Sequence, residues 1–253
     1  MRRPRITVVI TVYDRPEDVL RRVFDSLAPQ PFDEAVIVLD RTPAKCAEYC
    51  RGYWRSDGRV RFVEIAGKPG WLCPARAWNV GFGQVDTELV YCLSSEVIQD
   101  RENIRRTVDL LADQPAVLFG KAECSCGPQG TEVNWGGTAP GNLLVDSAHP
   151  RHLGFIWACP TWILRATGGF DEGFGGGFWY DDDDFNYRIW QQGAPFVFDD
   201  TISGFHQHHE RPELSQEGIA RNLAYITKKH PNGYRVIPNS VDHPHKTRTW
   251  WSQ

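Results

Sequence analysis

The sequence predicts an α/β domain built on a mixed, mostly parallel sheet flanked by helices. Three observations carry that prediction. Two early runs, Ile6–Val12 and Ala35–Leu39, are almost continuously apolar and β-branched, as strands buried on both faces of a parallel sheet are. An amphipathic helical pattern lies between them, which makes a βαβ unit with a right-handed crossover. Strand and helix patterns then keep alternating along the chain. At 253 residues the chain is one large domain or two small ones, long enough to bury a substantial core.

After the first strand, Asp14 is placed to cap a helix with Pro16 at its first position. Val19, Leu20, Val23, Phe24 and Leu27 recur at helical spacing, so the helix covers 16–28 and ends at Pro29 and Pro31. The second strand closes on Asp40. A second helix is expected over 43–58 and a third strand over Val60–Ile65. The Gly67-Lys68-Pro69-Gly70 loop precedes a helix that starts at Pro74 and runs to Gly83. Leu89–Leu93 reads as a fourth strand and runs into Ser94-Ser95-Glu96. Residues 101–112 are helical, with Ile104, Val108 and Leu111 on one face, and Val117–Phe119 begins another strand. From 120 to 155 the periodicity fades and Gly, Pro and small polar residues take over, as in a long functional loop. Core-like sequence returns over Phe155–Leu164. Pro195–Phe198 reads as a strand leading towards His206-Gln207-His208-His209, and 215–229 as a helix burying Ile219, Leu223 and Ile226.

Composition narrows the function classes. Twenty-eight Lys and Arg against 32 Asp and Glu give a net charge of −4 with no basic block, so broad nucleic-acid affinity is not expected. No apolar run of about 18 residues occurs, so no stable membrane insertion is expected. The basic start before Ile6–Val12 reads as the lead into a first strand rather than as a signal peptide. Seven scattered cysteines without a CxxC pair favour a reducing, cytoplasmic setting.

The chemistry concentrates in Gly168–Gly193. Four consecutive aspartates, Asp181–Asp184, follow the glycines Gly175–Gly177 and the aromatic run Phe178-Trp179-Tyr180. Four adjacent carboxylates repel one another. A helix N-terminus favours them, and Phe185, Ile189 and Trp190 would pin that helix to the core. The glycines allow unusual backbone conformations and close ligand approach. The aromatic rings offer flat faces for a sugar or base. Two more carboxylates stand at strand ends, where open α/β sheets bind ligands: Asp40, suited to a base or ribose, and Glu96. One carboxylate with a histidine from the 206–209 cluster suits a hard divalent ion, Mn²⁺ first and Mg²⁺ second, together with substrate phosphates.

In their order these residues resemble a family 2-type glycosyltransferase with the GT-A fold, a Rossmann-like mixed sheet. Val8-Val9-Ile10-Thr11-Val12-Tyr13-Asp14-Arg15-Pro16 resembles the opening strand and turn, and Val36–Asp40 the strand that ends in a uracil-binding aspartate. Ala75-Arg76-Ala77-Trp78-Asn79-Val80-Gly81 resembles an ARNxG-like helix start. Gly168-Gly169-Phe170-Asp171-Glu172, with Asp181–Phe185 and Arg188, resembles the acceptor-side GFDE…EDDDF…R block, which galactosyltransferases also carry. The resemblance implies a single catalytic domain over 1–253. Residues 1–98 would form the nucleotide-sugar half, 99–210 the acceptor and catalytic half, and 211–253 a helix and tail. It implies a transferase moving sugar from a UDP-linked donor to a hydroxyl of a glycan, protein or modified nucleic acid, with inversion.

The implied roles are residue by residue. Thr11, Tyr13, Arg15 and Asp40 would hold the nucleoside. Lys68, Arg76 and Asn79 would lie near ribose or diphosphate. The family's DxD metal motif falls on Ser94-Ser95-Glu96, which keeps only the last carboxylate, so Glu96 and His206, with His208 or His209 as alternates, would hold the ion beside donor-binding Ser94 and Ser95. Asp182 would be the general base and Asp181 would orient the acceptor, with Trp157, Gly177 and Trp179 on the acceptor side. A catalytically impaired sugar- or nucleotide-binding module, favoured by the degenerate motif, and a glycoside hydrolase using paired carboxylates are the competing readings.

Overall fold

A computed structural model of the chain describes residues 2–66, 72–124, 143–145, 154–207, 209 and 215–234. Nine strands form one sheet, in the order β3-β2-β1-β4-β8-β6-β9-β5, with β7 on the side of β6. They are β1 Ile6–Val12, β2 Glu34–Asp40, β3 Val60–Ile65, β4 Leu89–Ser94, β5 Val97–Gln99, β6 Val117–Cys124, β7 Leu143–Val145, β8 Ile156–Pro160 and β9 Phe196–His206. The helices are α1 Glu17–Leu27, α2 Ala44–Tyr53, α3 Ala75–Phe82, α4 Asn103–Asp113, α5 Thr161–Thr167, α6 Asp181–Gln191 and α7 Gln216–Lys229. A 3-10 turn covers Glu172–Gly176.

The first four strands pair in parallel, and their register sets up the site. Thr11 lies beside Ser94, Val12 beside Leu39, and Asp40 beside Ile65, so the carboxyl ends finish nearly level. β8 runs antiparallel to β4 and to β6, while β6 runs parallel to β9. A register shift between Gly120 and Lys121 carries β9 past its polar Asp199-Asp200 step to His206. β5 then pairs Val97 with His206, which draws the preceding residue, Glu96, to the histidine end of β9.

Four expectations are adjusted. β9 does not stop at Phe198: its polar stretch, half-buried to exposed, continues the strand across the register shift. Asp14 does not cap α1, whose N-cap position is Pro16 without a side-chain cap. α2 ends at Tyr53, where Trp54 turns into the core at 4% exposure. α7 buries Gly218, Asn222 and Ile226, whereas Leu223 is 42% exposed. The apolar stripe misjudged that face because the surface it packs on is polar backbone. The three-residue β5 is too short to show a pattern.

Two hydrophobic clusters account for most of the core. One packs Leu20, Val23, Phe24 and Leu27 of α1 and Ile104, Val108 and Leu111 of α4 on the strands. The other includes Trp78 of α3, Trp157 of β8, Phe170, and Phe185 and Ile189 of α6, with Phe82 packed against it. Phe185 stacks on Phe170 at 4.2 Å and lies 5.6 Å from Trp157 and 6.4 Å from Phe82, ring centre to ring centre. This aromatic bed fixes the helix that begins with the aspartates. Replacing Phe185 by Ala is expected to destabilise the fold by about 3–5 kcal/mol, read as a lowered denaturation midpoint.

Candidate active site

Glu96 is the centre of one charged group. Ser94 Oγ donates to its Oε1 at 3.1 Å, and Ser95 Oγ to its Oε2 at 3.0 Å. Arg15 Nε donates to Oε2 at 3.2 Å. Oε1 faces His206 Nε2 at 3.5 Å and His209 Nε2 at 3.9 Å. Ligand atoms of Glu96, His206 and His209 lie within 4.8 Å of one another. Burial opposes the charge on Glu96, but the His206 hydrogen bond and the charges of Arg15, His206 and His209 outweigh it and hold the carboxyl well below its usual range. One ionised carboxylate and two imidazoles form a donor set for a divalent transition ion. His206 Nδ1 is buried without a hydrogen-bond partner, a deficit that an ion or water near the group would answer. The residues therefore fit a metal.

The second group is the first turn of α6, where the four aspartates are not equivalent. Asp184 is fully buried, ion-paired to Arg188 Nε and Lys229 Nζ and hydrogen-bonded to His230 Nε2, each at 2.8 Å. Asp183 is exposed. Asp181 is 7% exposed and Asp182 partly buried, with a hydrogen bond from the Gly154 N–H. Burial pushes Asp181 up to about 6, with Asp183 and Asp184 adding to the shift. Burial, then the charges of Asp181 and Asp183, push Asp182 well above the carboxylate range. The pair titrates as a unit and keeps a proton well above pH 4.

Neither end of this turn is built as the glycine run suggests. Gly177 is extended, while Trp179 and Tyr180 take left-handed conformations at φ 65° and 68°. Such conformations cost about 1–3 kcal/mol each and persist where the surroundings enforce them.

Three contacts through Gly154 and Phe155 join the groups into one site. Gly154 bonds Asp182, and the next residue, Phe155, sets its ring edge-on to His206 at 5.1 Å and accepts a hydrogen bond from Ser94 N at 3.0 Å. Cys73 is buried beside α3, and its thiol is pushed up first by burial and then by the charges of Asp181, Asp182 and Asp40. Cys73 thus lies within electrostatic reach of both Asp40 and the acid pair. The Asp40 carboxylate is held by Arg41, Nε to Oδ1 at 3.0 Å and Nη2 to Oδ2 at 3.2 Å, and the guanidinium stacks over the half-exposed Tyr13 ring at 4.9 Å. Sequence patterns gave no sign of Gly154, Phe155, Cys73 or Arg41.

The other expected residues fall in different places. Thr11 lies level with Ser94, and Arg15 is on Glu96. Arg76 donates to the Ala66 carbonyl at 3.1 Å. Asn79 spends its amide on the Gly169–Glu172 loop: Oδ1 accepts from Phe170 N at 2.7 Å, and Nδ2 donates to Phe170 O at 2.9 Å and Glu172 at 3.2 Å. Trp157 is 3% exposed under Phe185, so it supports α6 from below instead of offering a face to an acceptor. Gly177 packs on α7, whereas Trp179 keeps 44% of its surface open. Lys68, His208 and most of the 120–155 region lie outside the described residues. No helix among the described residues is long and apolar enough to cross a membrane.

Residues 7–165, more than half of the chain, match the model of the family described as glycosyl transferase family 2. No curated protein sequence matches. The architecture resembles S. aureus TarS 1–349 in complex with UDP-GlcNAc, with a TM-score of 0.67 at 16% identity, covering 92% of this chain and 68% of that one. It also resembles the mannosyltransferase PcManGT from Pyrobaculum calidifontis in complex with GDP-Man and Mn²⁺, with a TM-score of 0.64 at 18% identity, covering 93% and 66%. GalNAc-T7 with UDP, GalNAc and Mn²⁺ gives 0.66 at 14% identity, covering 89% of this chain and 48% of that one. The shared architecture is the GT-A fold. The matched family segment ends before the aspartates of α6 and the histidines at the end of β9 and beyond it.

Raised carboxyl values have a stability consequence. The folded pair binds its proton more tightly than the unfolded chain does. That stabilisation is full below the ordinary carboxylate range and is lost as pH rises from about 4 through the folded value near 6 and above. For Asp181 the shift corresponds to roughly 3 kcal/mol of charging penalty. Asp182→Asn is therefore expected to raise the melting temperature at pH 7 by several degrees, with a gain that shrinks towards pH 4 in a thermal-melt series.

Proposed function

The chain belongs to glycosyl transferase family 2, and on that premise we propose that it moves a sugar from a UDP-linked donor to an acceptor hydroxyl, with inversion, using Asp182 as general base. The observation that carries the reading is the Gly154–Phe155 contact. Through it the acid pair and the Glu96–His206–His209 group lie next to one another near the carboxyl ends of the strands.

The steps follow from the residues. Asp40, Arg41 and Tyr13 form the end suited to a nucleoside: a carboxylate–guanidinium pair offers donors and acceptors to a base edge, and the Tyr13 ring offers a face. Glu96, His206 and His209 would hold Mn²⁺, which when bound supplies Lewis-acid stabilisation of the diphosphate. Arg15 stays on Glu96 Oε2, leaving Oε1 with the histidines. Trp179 presents its open face beside the acid pair, where an acceptor sugar stacks. Asp181 accepts a hydrogen bond that orients the acceptor, and Asp182 takes the hydroxyl proton as the oxygen attacks the anomeric carbon. The carbon–oxygen bond to the diphosphate breaks on the opposite face, and its electron pair leaves with the nucleoside diphosphate. A carboxyl whose value is raised is a stronger base than an ordinary one, and general-base assistance contributes about 10²–10⁴-fold.

Thermal stability with UDP, GDP and their sugar conjugates, with Mn²⁺ or chelator, tests the donor site. A ligand at 100 times its dissociation constant stabilises by about 2.7 kcal/mol. A Mn²⁺-dependent shift with a uridine nucleotide, lost in Glu96→Gln, is the expected result. A shift that survives chelation removes the metal from the reading, and no shift with any nucleotide overturns the donor assignment. Asp182→Asn should lower transfer by at least 10²-fold while sparing the nucleotide shift; near-normal turnover would sink Asp182 as the base.

A further inference from the structure

Helix α7 lies beyond the matched family segment, and its inner face is not an ordinary hydrophobic stripe. Two of its three buried positions are Gly218 and Asn222. Asn222 is fully buried, and its Nδ2 donates to the carbonyls of Phe174 and Trp179, each at 3.1 Å. The Gly218 carbonyl accepts from Phe178 N at 3.3 Å. A Cβ on Gly177 would collide with Asn222 and with the Gly218 carbonyl, so the loop and the helix meet backbone to backbone. Farther along α7, Tyr225 and Lys229 reach Asp171 Oδ2 at 3.0 and 2.5 Å, and Lys229 and the following His230 reach Asp184. One helix thus holds Asp171, the Phe174–Trp179 loop and Asp184, on both sides of the acid pair.

The residue whose carbonyl Asn222 takes, Trp179, begins the left-handed pair that leads directly into Asp181. A bulky residue adopts that conformation only where it is over-determined. We propose that α7 is a positioning element of the transfer reaction, and that Asn222 is the residue through which it holds the Trp179–Tyr180 turn and aims the Asp181 and Asp182 carboxyls. The inference rests on the reading of those two aspartates as the reacting acids. Asn222 touches no substrate; it acts through the turn. Relaxation of the turn would let the first residues of α6 swing towards water. A displacement of about 1 Å at a reacting group costs on the order of 10²-fold in rate.

Asn222→Ala is the first variant, assayed by release of UDP from UDP-GlcNAc and of GDP from GDP-mannose with Mn²⁺. The expected result is a 10–100-fold fall in kcat with donor KM changed less than about threefold. Carboxyl ¹³C resonances of aspartate-labelled protein give a readout that needs no turnover. The groups facing Asp181 and Asp182 are Asp183 and Asp184 on α6, Cys73 before α3 and the Gly154 N–H. The resonance titrating near pH 6 in the parent is expected to move towards the ordinary range in Asn222→Ala.

A pairing separates positioning from packing. Gly177→Ala alone is expected to lower the melting temperature. Adding Asn222→Ala relieves the clash with the Asn222 amide but not that with the Gly218 carbonyl, so the double variant is expected to recover part of that stability and none of the kcat. Recovery of kcat in step with stability, or a folded Asn222→Ala with parental kcat and parental carboxyl titration, overturns the proposal. If Asn222→Ala does not fold, Gly218→Ala, whose methyl would press on the Phe178 ring at 3.0 Å, takes its place with the same outcomes. A parent that binds nucleotide but releases none from either donor would defeat the catalytic reading, and the titration would still decide whether Asn222 sets the carboxyls.

Discussion

The hardest thing this chain does is to hold two adjacent carboxyls, buried Asp181 and partly buried Asp182, at the start of a helix. Desolvation and mutual repulsion both oppose their charge, and the positive end of α6 offsets only part of that. Much of the surrounding architecture answers this constraint. Asp184, one turn along, is paired three ways and anchors the helix electrostatically. Phe185, the next residue, anchors it by packing against Phe170, Trp157 and Phe82. Arg188 adds hydrogen bonds to the carbonyls of Thr167 at 2.8 Å and Gly169 at 2.7 Å, tying α6 to the turn after α5. A helix held this firmly can keep its first residues in a position they would not choose on their own.

Sheet register does for the metal group what packing does for the acids. Glu96 follows β4 immediately, but β4 alone would leave it pointing at a strand end with two serines. The short β5 turns the chain so that Val97 pairs with His206, and the shift in β6 lets β9 run long enough to bring that histidine there. Where the DxD pattern has another carboxylate, Ser94 and Ser95 are hydrogen-bond donors that orient Glu96, and His206 and His209 bring two imidazoles to the group that could hold an ion.

Most of the sheet and its helices was legible in the sequence, because parallel strands buried on both faces read as unbroken apolar runs and α1, α4 and α6 carry clear apolar faces. The order of Asp40, Glu96, the aspartates and the histidines was legible for the same reason: each follows a strand or opens a helix. What the patterns could not carry were contacts made by backbone. The glycines before Trp179 read as sources of conformational freedom, yet the structure uses Gly177 for close approach and gives the left-handed angles to two aromatics. Trp157 read as a candidate acceptor platform, but a tryptophan's exposure depends on which element covers it, here α6. Asn222 has no pattern at all, since its partners are carbonyls some 45 residues away, Phe174 and Trp179.

The two acidic groups also differ in the direction in which the protein pushes them, and this division assigns their chemistry. Glu96 is held ionised by Arg15 and two imidazoles, so it can receive a cation without first losing a proton. Asp181 and Asp182 are pushed the other way by burial, which strengthens them as proton acceptors. Separation of titration ranges between carboxyls in one cleft is the usual mark of distinct acid–base and electrostatic roles. The Gly154–Phe155 step keeps the groups adjacent but distinct: an N–H on one side lowers Asp182 slightly, and an apolar ring on the other packs against His206. Ion pairs like those of Asp184 would favour the charged form of the acid pair and weaken it as a base. Among the described residues no ion pair reaches Asp181 or Asp182, which suits the role proposed for them, while the ion pairs of the same helical turn are made by Asp184.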